Sequence, residues 1–204
     1  MVNQPRAVLF DLDGVLVRSA ETWFRVLEGA GQRFRGRPVT REEFAPTFGQ
    51  GTAADVRVFG FHCSVAELDA FYHQHFARCA DSMWVNPEAA PLLAELERRG
   101  LLLALVTNSV TPLAEEILAL ARLRGFFQVV ACADQVARAK PAPDMVLHAC
   151  ARLGVAPGDA WMVGDSRYDR GAAESAGVAF VGLGIDGAAR IERLSELTAL
   201  LPLS

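Results

Sequence analysis

Residues 7–14 read Ala-Val-Leu-Phe-Asp-Leu-Asp-Gly, an apolar run that ends in two aspartates and a glycine. Two later segments have the same form. Residues 101–109 read Leu-Leu-Leu-Ala-Leu-Val-Thr-Asn-Ser, and residues 160–165 read Ala-Trp-Met-Val-Gly-Asp. Short, continuous apolar runs are typical of strands that are buried on both faces of a parallel sheet. Each of these three predicted strands ends in polar side chains that suit catalysis.

Helical patterns alternate with the predicted strands along most of the remaining chain. Helices are predicted over 87–99, 111–123, 144–153, 168–176 and 188–201, and further strands over 127–132 and 178–183. This alternation predicts an α/β fold with a doubly wound, Rossmann-like parallel sheet. Ligands of such sheets bind at the carboxyl ends of the strands, where Asp11, Thr107 and Asp165 are expected to meet.

Residues 15–85 interrupt this alternation with helical patterns and no convincing strand. Their helices are predicted at about 20–29, 41–48, 52–59 and 65–80. The segment is too long for an ordinary connection between a strand and a helix. We therefore predict an inserted, all-helical cap over 15–85, hinged near 15–17 and 82–86, on a core of residues 1–14 and 86–204. A helical arm without a gating role is the alternative.

The composition limits the classes of partner. A formal charge of −4 and an isoelectric point near 5.6 argue against a nucleic-acid partner. No apolar run approaches the roughly 18 residues that cross a bilayer, and the first six residues lack the apolar stretch of a signal peptide. The four cysteines show no Cys-x-x-Cys spacing and are expected to be reduced. We expect a cytoplasmic protein without a membrane partner, either monomeric or homodimeric.

Four aspartates suggest a metal site. Asp11 and Asp13 are two residues apart, so they project to the same side of an extended chain. Asp165 and Asp169 are four apart, on one face of a helix that is beginning. Clustered carboxylates favour a cation, and hard oxygen ligands suit Mg²⁺. A solvated turn for the first pair and a helix cap at Asp165 are the alternatives.

Other residues suit a phosphate group. Thr107, Asn108 and Ser109 supply hydroxyl, amide and backbone donors where a helix begins, although an ordinary capping sequence has the same composition. Lys140 is the only lysine of the chain, beside nineteen arginines. A compact ammonium suits a dense anion site that a planar guanidinium would not fit. Coding bias toward arginine would also leave a single lysine.

Four motifs, in this order, resemble those of the haloacid dehalogenase-like superfamily. They are Asp-Leu-Asp-Gly-Val-Leu-Val from Asp11, Val-Thr-Asn-Ser from Val106, Lys-Pro-Ala-Pro-Asp from Lys140 and Gly-Asp-Ser-Arg-Tyr-Asp from Gly164. Residues 170–177 also resemble the phosphoglycolate phosphatase-like branch of that superfamily. Each motif alone is weakly specific, but four in order at compatible spacing form a specific signal. The resemblance covers essentially the whole chain.

The resemblance implies a set of catalytic roles. Asp11 resembles the nucleophile that forms an aspartyl-phosphate. Asp13 resembles the general acid that protonates the leaving alcohol and then the base that activates water. Thr107 and Asn108 resemble the phosphate-binding pair, and Lys140 resembles the residue that steadies the nucleophile and the phosphate.

The resemblance also implies a Mg²⁺ site. Asp165 and Asp11 resemble its carboxylate ligands, and Asp13 resembles the residue that adds a main-chain carbonyl. Asp169 resembles the second acidic residue of the site, which acts through water or through Lys140.

Within the superfamily, the residues favour a phosphatase of a small phosphorylated metabolite. Asp13 argues against a dehalogenase, because haloacid dehalogenases lack that second aspartate. Phosphonatases and β-phosphoglucomutase-like enzymes use a cap lysine, and residues 15–85 contain none. A phosphomutase or phosphotransferase is the first alternative. A non-catalytic protein that binds a phosphorylated ligand is the more remote one.

Several positions in the predicted cap bear on specificity. Arg41, Arg57 and the Phe48-Gly49-Gln50-Gly51 turn are candidates, with ordinary surface or packing positions as the alternative. Arg18 stands where the family usually has an acidic residue, and it could reach a second anionic group of the substrate. An exposed Arg18 paired with Glu21 is the alternative. Trp23 stands where mutase-like enzymes place a histidine, and we expect it in the cap's own core.

Overall fold

The computed structural model describes residues 4–201. Residues 1–3 and 202–204, which the sequence assigns to the core, lie outside this range. Among the helices of the described chain, none is both long enough and apolar enough to span a bilayer.

A six-stranded parallel sheet forms the centre of the molecule. The strands of the described chain are β1 (Ala7–Phe10), β2 (Val17–Arg18), β3 (Trp84–Val85), β4 (Leu102–Thr107), β5 (Val129–Cys132), β6 (Ala160–Gly164), β7 (Ala179–Leu183) and β8 (Ala189–Ile191). The sheet has the order β5-β4-β1-β6-β7-β8, and all its pairings are parallel. The chain winds outward from β1 in both directions, which confirms the predicted α/β fold.

Helices lie in two groups, one within the insertion and one around the sheet. The helices of the described chain are α1 (Ala20–Arg35), α2 (Arg41–Phe44), α3 (Thr52–Phe59), α4 (Val65–Cys79), α5 (Ala89–Arg98), α6 (Thr111–Leu120), α7 (Asp144–Leu153), α8 (Arg167–Ala176) and α9 (Leu197–Leu200). The first four fall between β2 and β3, so the sheet carries a helical insertion.

Side chains of β1 alternate between the two faces of the sheet, as strand geometry requires. Val8 and Phe10 join the apolar cluster that contains the leucines of α5 and α6. Leu9 joins the cluster that contains Met145 of α7 and Ala172 of α8. Because helices cover both faces, continuous apolar strands are stable here, and their polar ends are left at the sheet edge.

Local capping sequences explain where several helices begin and end. Capping boxes start α2 at Thr40, α4 at Ser64 and α8 at Ser166. Gly154 and Gly177 end α7 and α8 in the left-handed conformation, at φ of 68° and 73°. These positions match the predicted helix ends at 153 and 176.

Two expectations about secondary structure were wrong. Residues 15–85 do contain a strand, because β2 pairs with β3 antiparallel through Val17–Val85 and Arg18–Trp84. A two-residue strand is too short to produce a periodic pattern, so only the pairing reveals it. The predicted hinge segments are therefore joined to each other.

The predicted helix over 188–201 is also absent as a continuous helix. Residues 189–191 form β8, which extends the sheet beside β7, and only Leu197–Leu200 are α-helical. Ile191, Leu194 and Leu197 are buried at helix-like spacing, which is why the pattern resembled an amphipathic helix. The hydrogen bonds offered by the edge of β7 outweigh that local preference.

The helical insertion packs around aromatic side chains and contacts the sheet edge. Trp23 makes edge contacts with Tyr72 and Phe76, whose ring centroids lie 5.1 and 5.2 Å away. The amide of Asn108, after β4, donates to the carbonyl of Gly49 in the insertion over 2.8 Å. The insertion thus lies over the carboxyl ends of the central strands.

Candidate active site

Three neighbouring strands bring the predicted site residues to one edge of the sheet. Asp11 follows β1, Thr107 ends β4 and Asp165 follows β6. β1 lies between β4 and β6, and its first residue pairs with Leu102 on one side and Ala160 on the other. Because the strands are parallel and begin together, their polar ends meet.

Lys140 is buried at the centre of these residues, with 5% of its surface exposed. Its ammonium donates to Asp11 Oδ1 over 2.6 Å, to Asp169 Oδ1 over 2.7 Å and to the Val106 carbonyl over 2.9 Å. An ammonium has three donors, and all three are used. This compact arrangement gives a physical reason for a lysine in an arginine-rich chain.

The electrostatics of this group are dominated by burial. Burial by itself lowers the pKa of Lys140, but the charges of Asp11 and Asp169 outweigh it and raise that pKa above its ordinary value. Burial, followed by the charge of Asp169, raises the pKa of Asp11 well above its ordinary value, despite Lys140. The same two causes raise the pKa of Asp165 to about 7. The single positive charge of Lys140 does not balance the negative charges of three nearby carboxylates.

The chemistry of this donor set fits a divalent cation. Carboxylate oxygens of Asp11, Asp165 and Asp169 all lie within 4.8 Å of one another. A cation between them would offset the negative charge of Asp169, which together with burial raises the pKa values of Asp11 and Asp165. Gly14, at φ of 88°, lets the backbone approach Asp165, because a Cβ there would collide with its carboxylate. We call Asp11, Lys140, Asp165 and Asp169 the core cluster.

Asp169 is fully buried and is held from two sides. Its Oδ1 accepts from Lys140, while its Oδ2 accepts from the Ser166 hydroxyl over 2.5 Å and the Ser166 main-chain N–H over 3.0 Å. Asp169 therefore anchors Lys140 to the start of α8. Asp165 is less committed to protein partners and is partly exposed.

Asp13 directs one carboxylate oxygen toward the insertion. Its Oδ1 accepts from the Ser19 hydroxyl and, over 3.1 Å, from the Trp23 indole N–H. Burial raises the pKa of Asp13, and these two donors only partly oppose it. Trp23 thus has a polar role as well as the packing role that the sequence suggested, and it lines the cavity described below.

Asn108 links three parts of the site through its side chain. The Asn108 amide oxygen accepts from the Lys140 main-chain N–H over 2.9 Å, and its amide nitrogen donates to the carbonyls of Lys140 and Gly49. Thr107 is buried, and its hydroxyl accepts from the Ser109 N–H over 3.2 Å. The Asn108 side chain is therefore occupied in positioning Lys140 and the insertion.

A cavity of about 250 Å³ lies between the sheet edge and the insertion. Asp11, Asp13, Thr107, Lys140 and Asp165 line one side of it. The opposite side comes from the insertion, with apolar residues, Thr47 and five further polar residues that we call the insertion cluster: Gln50, Thr52, Asp55, Asp69 and Tyr72. Of these five, only Gln50 stands out in the sequence, as part of the turn at 48–51, because the other four occur in patterns typical of ordinary helices.

The structure does not bring Arg18 to this cavity. Arg18 is exposed, lies in β2 and stacks on the Trp84 ring, with its guanidinium carbon 4.4 Å from the ring centroid. Glu21, the partner considered for it, instead receives two hydrogen bonds from Arg41. Ser19, one residue further along, is the nearby side chain that contacts the site.

Comparison with known proteins places the chain among relatives of known family. Residues 5–177 match the family model described as haloacid dehalogenase-like hydrolase. The phosphoglycolate phosphatase of Escherichia coli (strain K12) is 31% identical over 170 residues, which are 83% of this chain and 62% of that protein. The plasmid-encoded phosphoglycolate phosphatase of Cupriavidus necator is 34% identical over 182 residues, or 84% and 78% of the two chains.

A solved structure shares the fold of this chain. CbbY from Rhodobacter sphaeroides, a variant in complex with xylulose-(1,5)-bisphosphate, superposes with a TM-score of 0.85 at 25% identity, over 98% of this chain and 100% of CbbY. Fold, motif order and sequence similarity agree. The chain belongs to the haloacid dehalogenase-like hydrolase family, within its phosphoglycolate phosphatase-like branch.

Proposed function

We propose that this protein is a Mg²⁺-dependent phosphatase that hydrolyses a small phosphorylated metabolite through an aspartyl-phosphate on Asp11. The observation that carries the proposal is the contact of Lys140 with Asp11 at the floor of a cavity that also exposes Asp13 and Thr107. Similarity to phosphoglycolate phosphatases supports the same reaction class.

Asp11 suits the nucleophile. In the first step its free carboxylate oxygen attacks phosphorus, the bond from phosphorus to the leaving oxygen breaks, and the phosphoryl group moves to Asp11. Lys140 holds the other oxygen, Oδ1, at 2.6 Å, which orients the carboxylate for that attack. Bound Mg²⁺, held by Asp11 and Asp165 with the Asp13 carbonyl, would neutralise negative charge on the phosphoryl oxygens. Asp169 would act by fixing Lys140.

Asp13 suits the general acid and base. Ser19 and Trp23 both donate to its Oδ1, which leaves Oδ2 to carry the proton. A raised pKa keeps that proton available for the leaving alcohol. The resulting carboxylate then takes a proton from the water that attacks the aspartyl-phosphate and releases inorganic phosphate. The Thr107 hydroxyl would bind a phosphate oxygen.

The helical insertion suits a closing cap. It covers the cavity and is joined to the sheet edge by the hydrogen bond between Asn108 and Gly49. Closure would exclude bulk water from the phosphoryl group while one water enters for the second step. We place the protein in a reducing cytoplasm, supported by its four free cysteines. Whether it is a monomer or a homodimer stays an open prediction.

Phosphate release from a panel of small phosphate esters tests the proposal. The purified protein is assayed with Mg²⁺, with EDTA, and as the Asp11→Asn variant. We expect release only from the wild-type protein with Mg²⁺. Transfer to an added alcohol or second sugar phosphate without free phosphate would instead identify a phosphotransferase or mutase. Tight binding of esters without any turnover would identify a binding protein.

A further inference from the structure

The charges around the cavity are unbalanced. Among the described residues that line it there are five aspartates and one cation, Lys140. The three donors of Lys140 are already used by Asp11, Asp169 and Val106. No arginine of the insertion lies in the described lining. A substrate with a second acidic group would therefore find no free cationic side chain in the described lining to pair with it.

Two of these aspartates belong to the insertion, opposite the core cluster. Asp55 in α3 is 8% exposed, and its carboxylate accepts from Gln50 Nε2 over 2.7 Å and from the Tyr72 hydroxyl over 2.8 Å. Asp69 in α4 accepts from the Thr52 hydroxyl over 2.6 Å. The described part of the chain offers neither carboxylate an ion pair within 4 Å. Their partners are neutral donors only.

A buried carboxylate without a cationic partner is stabilised by any further donor that reaches it. Burial raises the pKa of Asp55 to about 6, and only Gln50 and Tyr72 oppose that effect. Each carboxylate oxygen can accept a second hydrogen bond. A hydroxyl or ammonium group in the cavity would reduce the cost of the buried charge. A carboxylate there would meet like charges instead.

We propose that the insertion cluster selects substrates whose leaving alcohol carries hydroxyl or ammonium donors and no second acidic group, with Asp55 as the principal acceptor and Asp69 beside it. This inference rests on the proposed phosphatase function and narrows its substrate. It separates this chain from an enzyme for phosphoglycolate, whose carboxylate would face Asp55. It also reverses the expectation that Arg18 receives a second anionic group, because Arg18 lies outside the cavity lining.

The test compares phosphate esters of similar size that differ in the end group. The kcat/KM values for glycerol phosphate, phosphoethanolamine and phosphoglycolate are measured with Mg²⁺, with para-nitrophenyl phosphate as a general substrate. We expect at least one donor-bearing ester to exceed phosphoglycolate by about tenfold or more. The ratio of the kcat/KM values for glycerol phosphate and phosphoethanolamine shows whether the site prefers a hydroxyl or an ammonium group. A preference for phosphoglycolate would overturn the inference, even if hydrolysis itself is confirmed.

A pair of variants assigns the preference to Asp55. Asp55→Asn keeps the shape but removes the charge, and we expect the ratio between the donor-bearing ester and phosphoglycolate to fall by about tenfold. Asp81→Asn is the matched control, because Asp81 lies in the same insertion but is exposed beside Arg25, outside the described lining. Equal effects of the two variants would rule out Asp55 as the selecting residue. Thermal unfolding shows whether each variant is folded.

Binding separates this inference from the proposed function. Affinities of the three esters for the Asp11→Asn variant are measured by calorimetry in the presence of Mg²⁺. Tighter binding of the donor-bearing esters without turnover in the wild-type protein would support the selectivity and refute the phosphatase. Tightest binding of phosphoglycolate would refute the selectivity whatever the turnover.

Discussion

The core cluster and the insertion cluster both bury carboxylates, but they stabilise them in different ways. In the core cluster, Lys140 forms two ion pairs of 2.6 and 2.7 Å with side chains that are almost completely buried. In the insertion cluster, Asp55 has only the neutral donors of Gln50 and Tyr72. In the proposed function, the first arrangement holds the reacting carboxylate, whereas the second leaves hydrogen-bond acceptors for the substrate. The comparison suggests that chemistry and selectivity are separated across one cavity.

The largest expected effect is on the nucleophile. Asp11→Asn should lower kcat by roughly 10⁴-fold or more, because a covalent route cannot begin without the carboxylate. The melting temperature should stay the same or rise, since one of several repelling charges is removed. Steady-state kinetics and calorimetry check both parts. Asp186→Asn, at an exposed position, is the control and should change neither value. Near-normal turnover in Asp11→Asn would break the assignment of chemistry to the core cluster.

The next effect concerns the ion pairs of Lys140. Lys140→Met should lower the free energy of unfolding by about 3 kcal/mol or more, because it leaves buried carboxylates without their cation. Arg138→Met removes an exposed pair with Asp144 in the same segment and should lower the free energy of unfolding much less. Denaturant titration in EDTA measures both. Equal losses would show that the core cluster does not depend on its buried charge.

Replacing Lys140 by arginine tests the geometry of the same site. The planar guanidinium cannot reproduce three converging bonds from one nitrogen, so Lys140→Arg should lose about 100-fold or more in kcat. Full activity in this variant would mean that the single lysine reflects coding bias and not chemistry.

The pH dependence of stability sharpens the contrast with the insertion cluster. The pKa of Asp55 is about 6 in the folded protein, above its ordinary value of 3.8. Between pH 3.8 and about 6, the folded protein therefore keeps a proton on Asp55 that the unfolded protein has lost. The stability from this group is therefore complete below pH 3.8 and is lost as the pH rises through about 6. Relative to Asp55→Asn, the wild-type protein should lose up to about 3 kcal/mol between pH 4 and pH 7. The prediction would be contradicted if the difference in free energy of unfolding between the wild type and Asp55→Asn did not change with pH.

The smallest effect is expected where the two sides of the cavity touch. Trp23→Phe keeps the packing against Tyr72 and Phe76 but removes the N–H that Asp13 accepts. The pKa of Asp13 should rise, because that donor lowers it. The pH above which activity falls should therefore be higher in Trp23→Phe than in the wild-type protein. The value of kcat itself should be lower by about tenfold or less. Trp84→Phe, beside Arg18, is the control and should leave the pH–rate profile unchanged.

Long apolar runs and motifs at strand ends made most of the core predictable. The runs at 7–10 and 160–163 are strands because parallel strands covered by helices are apolar on both faces. Where the sequence pattern was short or ambiguous, the predicted secondary structure was wrong. A strand of two residues has no period, and the spacing of Ile191 and Leu194 fits a helix as well as a sheet edge. The site in the insertion was not predictable, because Asp55 and Asp69 occur in sequences typical of any exposed helix.

By itself, the sequence determined the α/β fold class, the family and the chemical types at the end of each central strand, because these follow from local patterns and motifs of the chain. Tertiary structure alone decided the contacts among these side chains and which residues of the insertion face them across the cavity. Lys140 reaches Asp11 across 129 positions of sequence, and Tyr72 reaches Asp55 across 17. Arg18 turned outward to stack on Trp84 while Trp23 turned toward Asp13. The physical reason is that a charged side chain takes the position where its burial is compensated, and the compensating group belongs to a distant part of the chain.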